Sequence, residues 1–272
     1  MGSDRRMTNY LLLTYDSCRY DVLVAAQTPV LDSYARIYAA QAPGNFTFAS
    51  HQAFFVGILP NALEDIPFLN RFNKQLWGLQ EVGERQVAKE SLIRVESSWN
   101  LVDGLRQQGF QTVGAGAMNW FRQASLTAGF AHFLFTGRNA DRQVEYLRST
   151  IDPRGRFFGF INFGETHAPY RFRGSEAICP DDVRARRMSW PPVERGPTGR
   201  ETKAFQFQLA AAEFLDQQLA ALFAGLPGET VVVVTADHGD CFGEDGYWGH
   251  GVNHPKVLEV PLAIFRLDRK PL

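Results

Sequence analysis

The run Val231-Val-Val-Val-Thr-Ala-Asp237-His238-Gly239-Asp240 constrains the fold more than any other stretch. Four consecutive valines, with no polar alternation, read as a strand covered on both faces, as in a parallel sheet between helical layers. The chain then turns polar at once. In open α/β sheets, ligands bind in the crevice beyond the carboxyl ends of the strands. A carboxylate beside an imidazole at that place is a candidate metal-ligand pair. Taken alone, the same residues read equally well as a polar turn with an Asp cap and a hydrogen-bonded histidine.

The rest of the chain keeps the same rhythm. Asn9–Tyr15 reads as the first strand, and residues 28–38 as a helix with Pro29 in its first turn. Ser97 and Ser98 suit the cap of a helix over 99–108 that ends at Gly109. Residues 111–115 and Phe157–Phe163 are further strands. Residues 202–223 carry Phe205, Leu209, Ala212, Leu215, Leu219 and Leu222 at helical spacing, with Gly225 just past them. Residues 231–235 and 260–265 complete the sheet candidates. The alternation predicts an α/β fold with a mostly parallel central sheet flanked by helices. With 272 residues, 45% of them hydrophobic, the chain is expected to form one domain over residues 7–268. Residues 168–200 break the rhythm, being rich in Pro, Gly and Arg, and read as a lid or a surface excursion. Arg171, Arg173, Arg184, Arg186, Arg187, Arg195 and Arg200 there could draw an anionic substrate.

Bulk properties exclude some classes. A net charge of −1 gives no reason to expect nucleic acid. No apolar run is long enough to span a bilayer, and Leu11-Leu12-Leu13 is too short for a signal-peptide core. Cys18, Cys179 and Cys241 form no CxxC pair and no disulfide framework, which suggests a reducing, cytoplasmic compartment.

Four segments put reactive side chains where strands end. Asp16 is the first polar residue past strand one; alone it could be a helix cap. In Gly44-Asn-Phe-Thr47-Phe-Ala-Ser50-His51, a loop enters an apolar helix, so Thr47 or Ser50 could be a nucleophile or an N-cap. Asn162-Phe-Gly-Glu165-Thr-His167-Ala-Pro169 follows another strand, and the opening run extends to Gly249-His250-Gly251. Of six histidines, His51, His167, His238, His250 and His254 fall in these segments, and only His132 falls outside.

In this order the segments resemble the alkaline phosphatase/sulfatase superfamily of metal-dependent hydrolases and transferases. The resemblance runs from about Asn9 to Phe265. It rests on Leu-Leu-Thr-Tyr-Asp16-Ser-Cys-Arg, on Thr47-Phe-Ala-Ser50-His51 with Gly57 and Pro60, on His167-Ala-Pro169, and above all on Thr235-Ala-Asp237-His238-Gly239. It implies one divalent metal held by Asp16, Thr47, Asp237 and His238, with Mn²⁺ or Zn²⁺ favoured over Ca²⁺. It implies Thr47 as nucleophile, and His167 and His250 as contacts to the transferring group or proton donors to the leaving group. His51 replaces an arginine often found there and is expected to orient Thr47 or the bound anion. A second metal is left open: Phe163 cannot ligate where two-metal relatives supply an Asp, although Glu165 or His254 could substitute.

The departures narrow the chemistry. A threonine cannot become the formylglycine that sulfatases use, and the chain stops before the C-terminal small-sheet subdomain usual in them. The expected function is a phosphohydrolase acting on a small anionic phosphodiester or phosphomonoester through Thr47. The alternatives are a sulfatase, a phosphoryl transferase to an alcohol, and a degenerate metal-binding domain. Trp99, Trp120, Phe121, Tyr170, Trp190 and Trp248 could line a leaving-group pocket, and Asn119 is a further candidate.

Overall fold

The computed structural model describes residues 8–57, 77–80, 93–96, 100–173 and 196–268. The chain opens with β1 (Asn9–Tyr15), the single-turn helices α1 (Tyr20–Leu23) and α2 (Pro29–Asp32), β2 (Tyr38–Gln41) and α3 (Thr47–Val56). β3 (Trp77–Gln80) and β4 (Ile93–Glu96) pair with each other in parallel. Next come α4 (Leu101–Gln107), β5 (Gln111–Gly116), α5 (Ala124–Thr127), β6 (His132–Phe135), α6 (Ala140–Thr150) and β7 (Phe157–Phe163). The long helix α7 (Lys203–Gly225) leads to β8 (Thr230–Thr235), the short hairpin strands β9 (Cys241–Phe242) and β10 (Trp248–Gly249), α8 (Pro255–Leu258) and β11 (Glu259–Leu267).

A seven-stranded sheet of order β2-β11-β8-β1-β7-β5-β6 forms the centre. β8, β1, β7, β5 and β6 run parallel, while β11 joins β8 and β2 antiparallel. The sheet is therefore mostly parallel, as the alternating pattern requires. β7 is buried along its whole length because both faces are covered. Phe157, Ile161 and Phe163 pack with Leu11 and Leu13 of β1 and with Leu215 and Leu219 of α7. Phe158 and Phe160 project to the other side, against Phe48 and Phe55 of α3. Leu215, Leu219 and Leu222 are fully buried at helical spacing, so truncating Leu219 to Ala should cost about 2–5 kcal/mol.

Register sets the site. Thr14 of β1 lies opposite Asn162 of β7 and Thr235 of β8. Two residues further on, Asp16, Gly164 and Asp237 therefore emerge level at the carboxyl ends of three neighbouring strands.

Some local expectations are corrected. Residues 28–38 do not form one helix; after one turn at Pro29–Asp32 the chain becomes the edge strand β2. The carboxylate of Asp216 takes both the Val30 and Leu31 N–H groups, and the open edge of β11 recruits Tyr38–Gln41, so tertiary pairing overrides local helix preference. Ser97, Ser98, Trp99 and Pro60 lie outside the described residues. Asn100 caps α4 instead, its side chain accepting from Val102 N at 2.8 Å. Gly109, at φ 84°, ends that helix as its missing Cβ allows. Most of the 168–200 segment, with Cys179, Arg184, Arg186, Arg187, Trp190 and Arg195, also lies outside the described residues. None of the described helices is long and apolar enough to cross a membrane.

Candidate metal centre and nucleophile

Thr47 is the first residue of α3. The preceding Phe46 is extended, so Thr47 is not the capping side chain and its hydroxyl is turned into the crevice. Its Oγ1 lies 3.3 Å from Asp16 Oδ2 and 3.4 Å from His238 Nε2. Asp16, Asp237 and His238 are fully buried, and one ligating atom from each falls within 4.8 Å of the others. Asp16 does not cap α1, whose N-cap is Arg19.

The donor set fits a cation. Asp237 Oδ1 accepts from Ser17 N and His238 N, both at 3.0 Å, while Oδ2 is buried without a hydrogen-bond partner. Ser17 reaches that position through a left-handed backbone at φ 63°, uncommon for a residue other than glycine. His238 Nδ1 is 2.9 Å from the Gly239 carbonyl, which only accepts, so Nδ1 carries the proton and Nε2 presents its lone pair. Burial, reinforced at Asp16 by Asp237 beside it, pushes both carboxyls up to about 7. Burial also pulls His238 down to about 4, which keeps it neutral and able to ligate. Two buried carboxylates and a neutral imidazole without a counter-charge are what a divalent ion would satisfy.

Further residues hold this arrangement. Asn162 Nδ2 donates to Asp16 Oδ2 at 3.2 Å and to Thr14 Oγ1 at 3.3 Å. Gln208 of α7 donates to the Ser17 and Thr166 carbonyls and accepts from Arg19 N, tying two site loops to one helix. His51 sits one turn beyond Thr47, with Nδ1 2.8 Å from Thr47 O and Nε2 3.1 Å from Thr14 Oγ1, among Phe54, Phe121 and Phe160. Both its nitrogens are engaged by the chain, so it braces the Thr47 backbone and does not face an anion. Burial lowers it to about 3. Ser50 is buried against Gly44, away from the helix cap.

His250 and His167 lie at the rim, their ring centroids 5.3 Å apart, and His250 is 4.3 Å from His238. Glu165 and His254 are not poised as extra ligands. Glu165 accepts from Ala140 N and Gly164 N, and His254 accepts from Lys256 N and pairs with Asp245. Asp240 comes within reach of His238 and His250 instead. Arg138, Arg171 and Arg173 line an open hollow of about 450 Å³ beside Glu165. Trp120 packs on Phe46 and Phe48, Phe121 on His51, and Tyr170 stacks on Phe207, so these rings serve the core. The sequence alone does not single out Asn162, Gln208 or Asp240 as site residues, although Asn162 is the one polar residue in Phe157–Phe163.

No protein-family model matches the sequence, and no curated protein matches it either. Solved structures do. The soluble domain of lipooligosaccharide phosphoethanolamine transferase A from Neisseria meningitidis superposes with a TM-score of 0.61 at 12% identity, over 97% of this chain and 78% of that one. The C-terminal periplasmic domain of EcEptC from Escherichia coli, in complex with Zn, gives 0.59 at 12% identity, over 97% and 73%. A protein in the alkaline phosphatase superfamily from Vibrio parahaemolyticus gives 0.56 at 15% identity, over 98% and 62%. At such identities the likeness carries the architecture alone, a central sheet flanked by helices like that of alkaline phosphatase-like domains.

Proposed function

We propose that this chain is a metal-dependent phosphohydrolase that cleaves a small phosphodiester or phosphomonoester through Thr47. The observation that carries the reading is the position of Thr47 Oγ1 beside Asp16 and His238, in a buried cluster with an unpartnered carboxylate oxygen. Asp16, Thr47, Asp237 and His238 would hold one ion, Zn²⁺ or Mn²⁺; the zinc named with the EcEptC domain supports the first. Bound there, the ion supplies Lewis acidity that lowers the pKa of the threonine hydroxyl and neutralises phosphoryl charge.

The chain's own residues do the positioning. Asn162 fixes Asp16, the Ser17 and His238 amides fix Asp237, and His51 holds the first turn of α3 so that Thr47 points into the crevice. The N-terminus of α3, which Thr47 opens, would favour the incoming anion through its dipole. His167 and His250, at the rim, contact the transferring group and its leaving oxygen. A sulfated threonine would lack the elimination route of a formylglycine hydrate, which favours phosphate over sulfate.

A second reading is transfer of the phosphoryl group to an alcohol, favoured by the phosphoethanolamine transferase among the similar structures. The reading of a reducing, cytoplasmic compartment rests on three scattered cysteines with no CxxC pair or disulfide framework, and the likeness to a periplasmic domain does not support it.

Matched nitrophenyl phosphate, phosphodiester and sulfate esters, assayed with Zn²⁺ or Mn²⁺, test the proposal. Turnover of one phosphate class, lost in Thr47→Ala, is the expected result. Preference for sulfate would overturn it, and product formed only with an added alcohol would favour the transferase.

A further inference from the structure

The hairpin of β9 and β10 pairs Phe242 with Trp248 and Cys241 with Gly249. One step further along the same ladder, Asp240 stands opposite His250. The side chains meet: His250 Nδ1 lies 2.7 Å from Asp240 Oδ1, and Asp240 is 4% exposed. An ionised carboxylate only accepts, so the contact puts a proton on Nδ1 and leaves Nε2 as the nitrogen offered elsewhere. The backbone on both arms is pinned. Gly239 N donates to Val257 O at 2.7 Å, Asp240 O accepts from buried Arg19 Nη1 at 3.3 Å, and Gly251 N donates to Asn45 O at 2.8 Å. His167 is backed differently, its Nδ1 lying 2.6 Å from Ala168 O and 3.0 Å from Arg138 Nη2. One rim histidine thus has a carboxylate behind it and the other a guanidinium.

We propose that Asp240 is a positioning residue that holds His250 as the proton donor to the leaving oxygen, while His167 hydrogen-bonds the transferring group. This deepens the ester-cleavage reading and rests on it. Thr47, having released its hydroxyl proton to bulk water, forms the Oγ–P bond with its own electron pair. The P–O bond to the leaving group breaks, its electron pair stays on the leaving oxygen, and that oxygen takes the proton from His250 Nε2. The imidazolium becomes a neutral ring whose Nδ1–H still donates to Asp240. Asp240 complements the charged ring before transfer and keeps Nδ1 from turning toward the ester.

Two measurements on the zinc-loaded protein test the assignment. In its neutral form, His250 should show its proton on Nδ1 by side-chain ¹⁵N NMR. Asp240→Leu, which offers Nδ1 no acceptor, should move that proton to Nε2; an unchanged tautomer overturns the proposal. The second measurement follows esters whose alcohols range from 4-nitrophenol to a simple alkanol. Asp240→Asn should lower kcat about 100-fold on the alkyl ester but less than about tenfold on the nitrophenyl ester, whose leaving anion needs no proton, with KM unchanged. Asp240→Glu should recover part of the loss, and Asp240→Asn should add nothing in a His250→Ala background. Equal losses across the series, or additive losses with His250→Ala, overturn the assignment. Absence of any wild-type turnover would remove the ester-cleavage reading and the proton-donor role together, and the tautomer result would still report on the Asp240–His250 coupling.

Discussion

Two charged clusters grow from the same loops on opposite terms. Around Thr47, Asp16, Asp237 and His238 are wholly buried and Asp237 Oδ2 has no partner. Close behind, Arg19 grips Asp21 through two hydrogen bonds of 2.8 and 2.7 Å, reaches Glu244 at 2.7 Å and lies over the Phe242 ring, while Lys256 adds a 2.8 Å bond to Asp21. Here two cations answer two carboxylates. The difference is diagnostic: where the chain supplies its own counter-charge a buried carboxylate is structural, and where it withholds one the carboxylate is set aside for something else.

The sharpest way to break this contrast is at Thr47. Thr47→Ala should reduce phosphate-ester turnover at least about 10³-fold while leaving the circular dichroism spectrum unchanged. A small change would mean that the cluster around it does no chemistry. Next in size is Arg19→Met, which strands Glu244, leaves Asp21 with Lys256 alone and should cost about 3 kcal/mol in urea unfolding, with or without metal. A cost below about 1 kcal/mol would remove the structural half of the comparison.

Zinc at about 100 times its Kd should then raise stability by about 2.7 kcal/mol. Asp237→Asn should abolish that gain, yet be no less stable than the wild type without metal, because it removes one of two crowded carboxylates. Equal zinc stabilisation in both proteins would place the ion elsewhere.

The smallest expected effect is in pH. Asp16 and Asp237 are raised to about 7, so in the metal-free protein their contribution is complete below the ordinary carboxylate range and is lost as pH rises through about 7. For Asp21, burial raises the carboxyl but Arg19 and Lys256 outweigh it and hold it at about 2, so its contribution is present above the ordinary range and is lost as pH falls through about 2. Metal-free protein should therefore become less stable in chemical denaturation between about pH 4.5 and 7.5, and zinc should flatten that slope. Stability that rises over this interval without metal would contradict the assignment of the buried pair.

Much of the centre is legible in the chain because long apolar runs and abrupt polar ends are local signals. The valines of β8, the aromatic run of β7 and the heptad-like leucines of α7 identify themselves, and so do Asp16 and Asp237 at strand ends. What stays hidden depends on partners distant in sequence. β2 becomes a strand because β11 has an open edge, and β9 and β10 are two residues each, too short for any period to register. Gln208 reads as one more polar residue on a helix until its amide is seen bridging Ser17 and Thr166. Asp240 follows a glycine in a polar turn, and only the hairpin register brings it to His250.

The level emergence of Asp16 and Asp237 has a consequence for how far such a chain can drift. They hang from neighbouring parallel strands, so the gap between them is set by the pitch of a β-sheet, about 4.8 Å, and not by any particular packing. The ruler is made of backbone, which every residue type carries. Side chains beneath can therefore change identity without moving the marks, so long as the two strands stay paired.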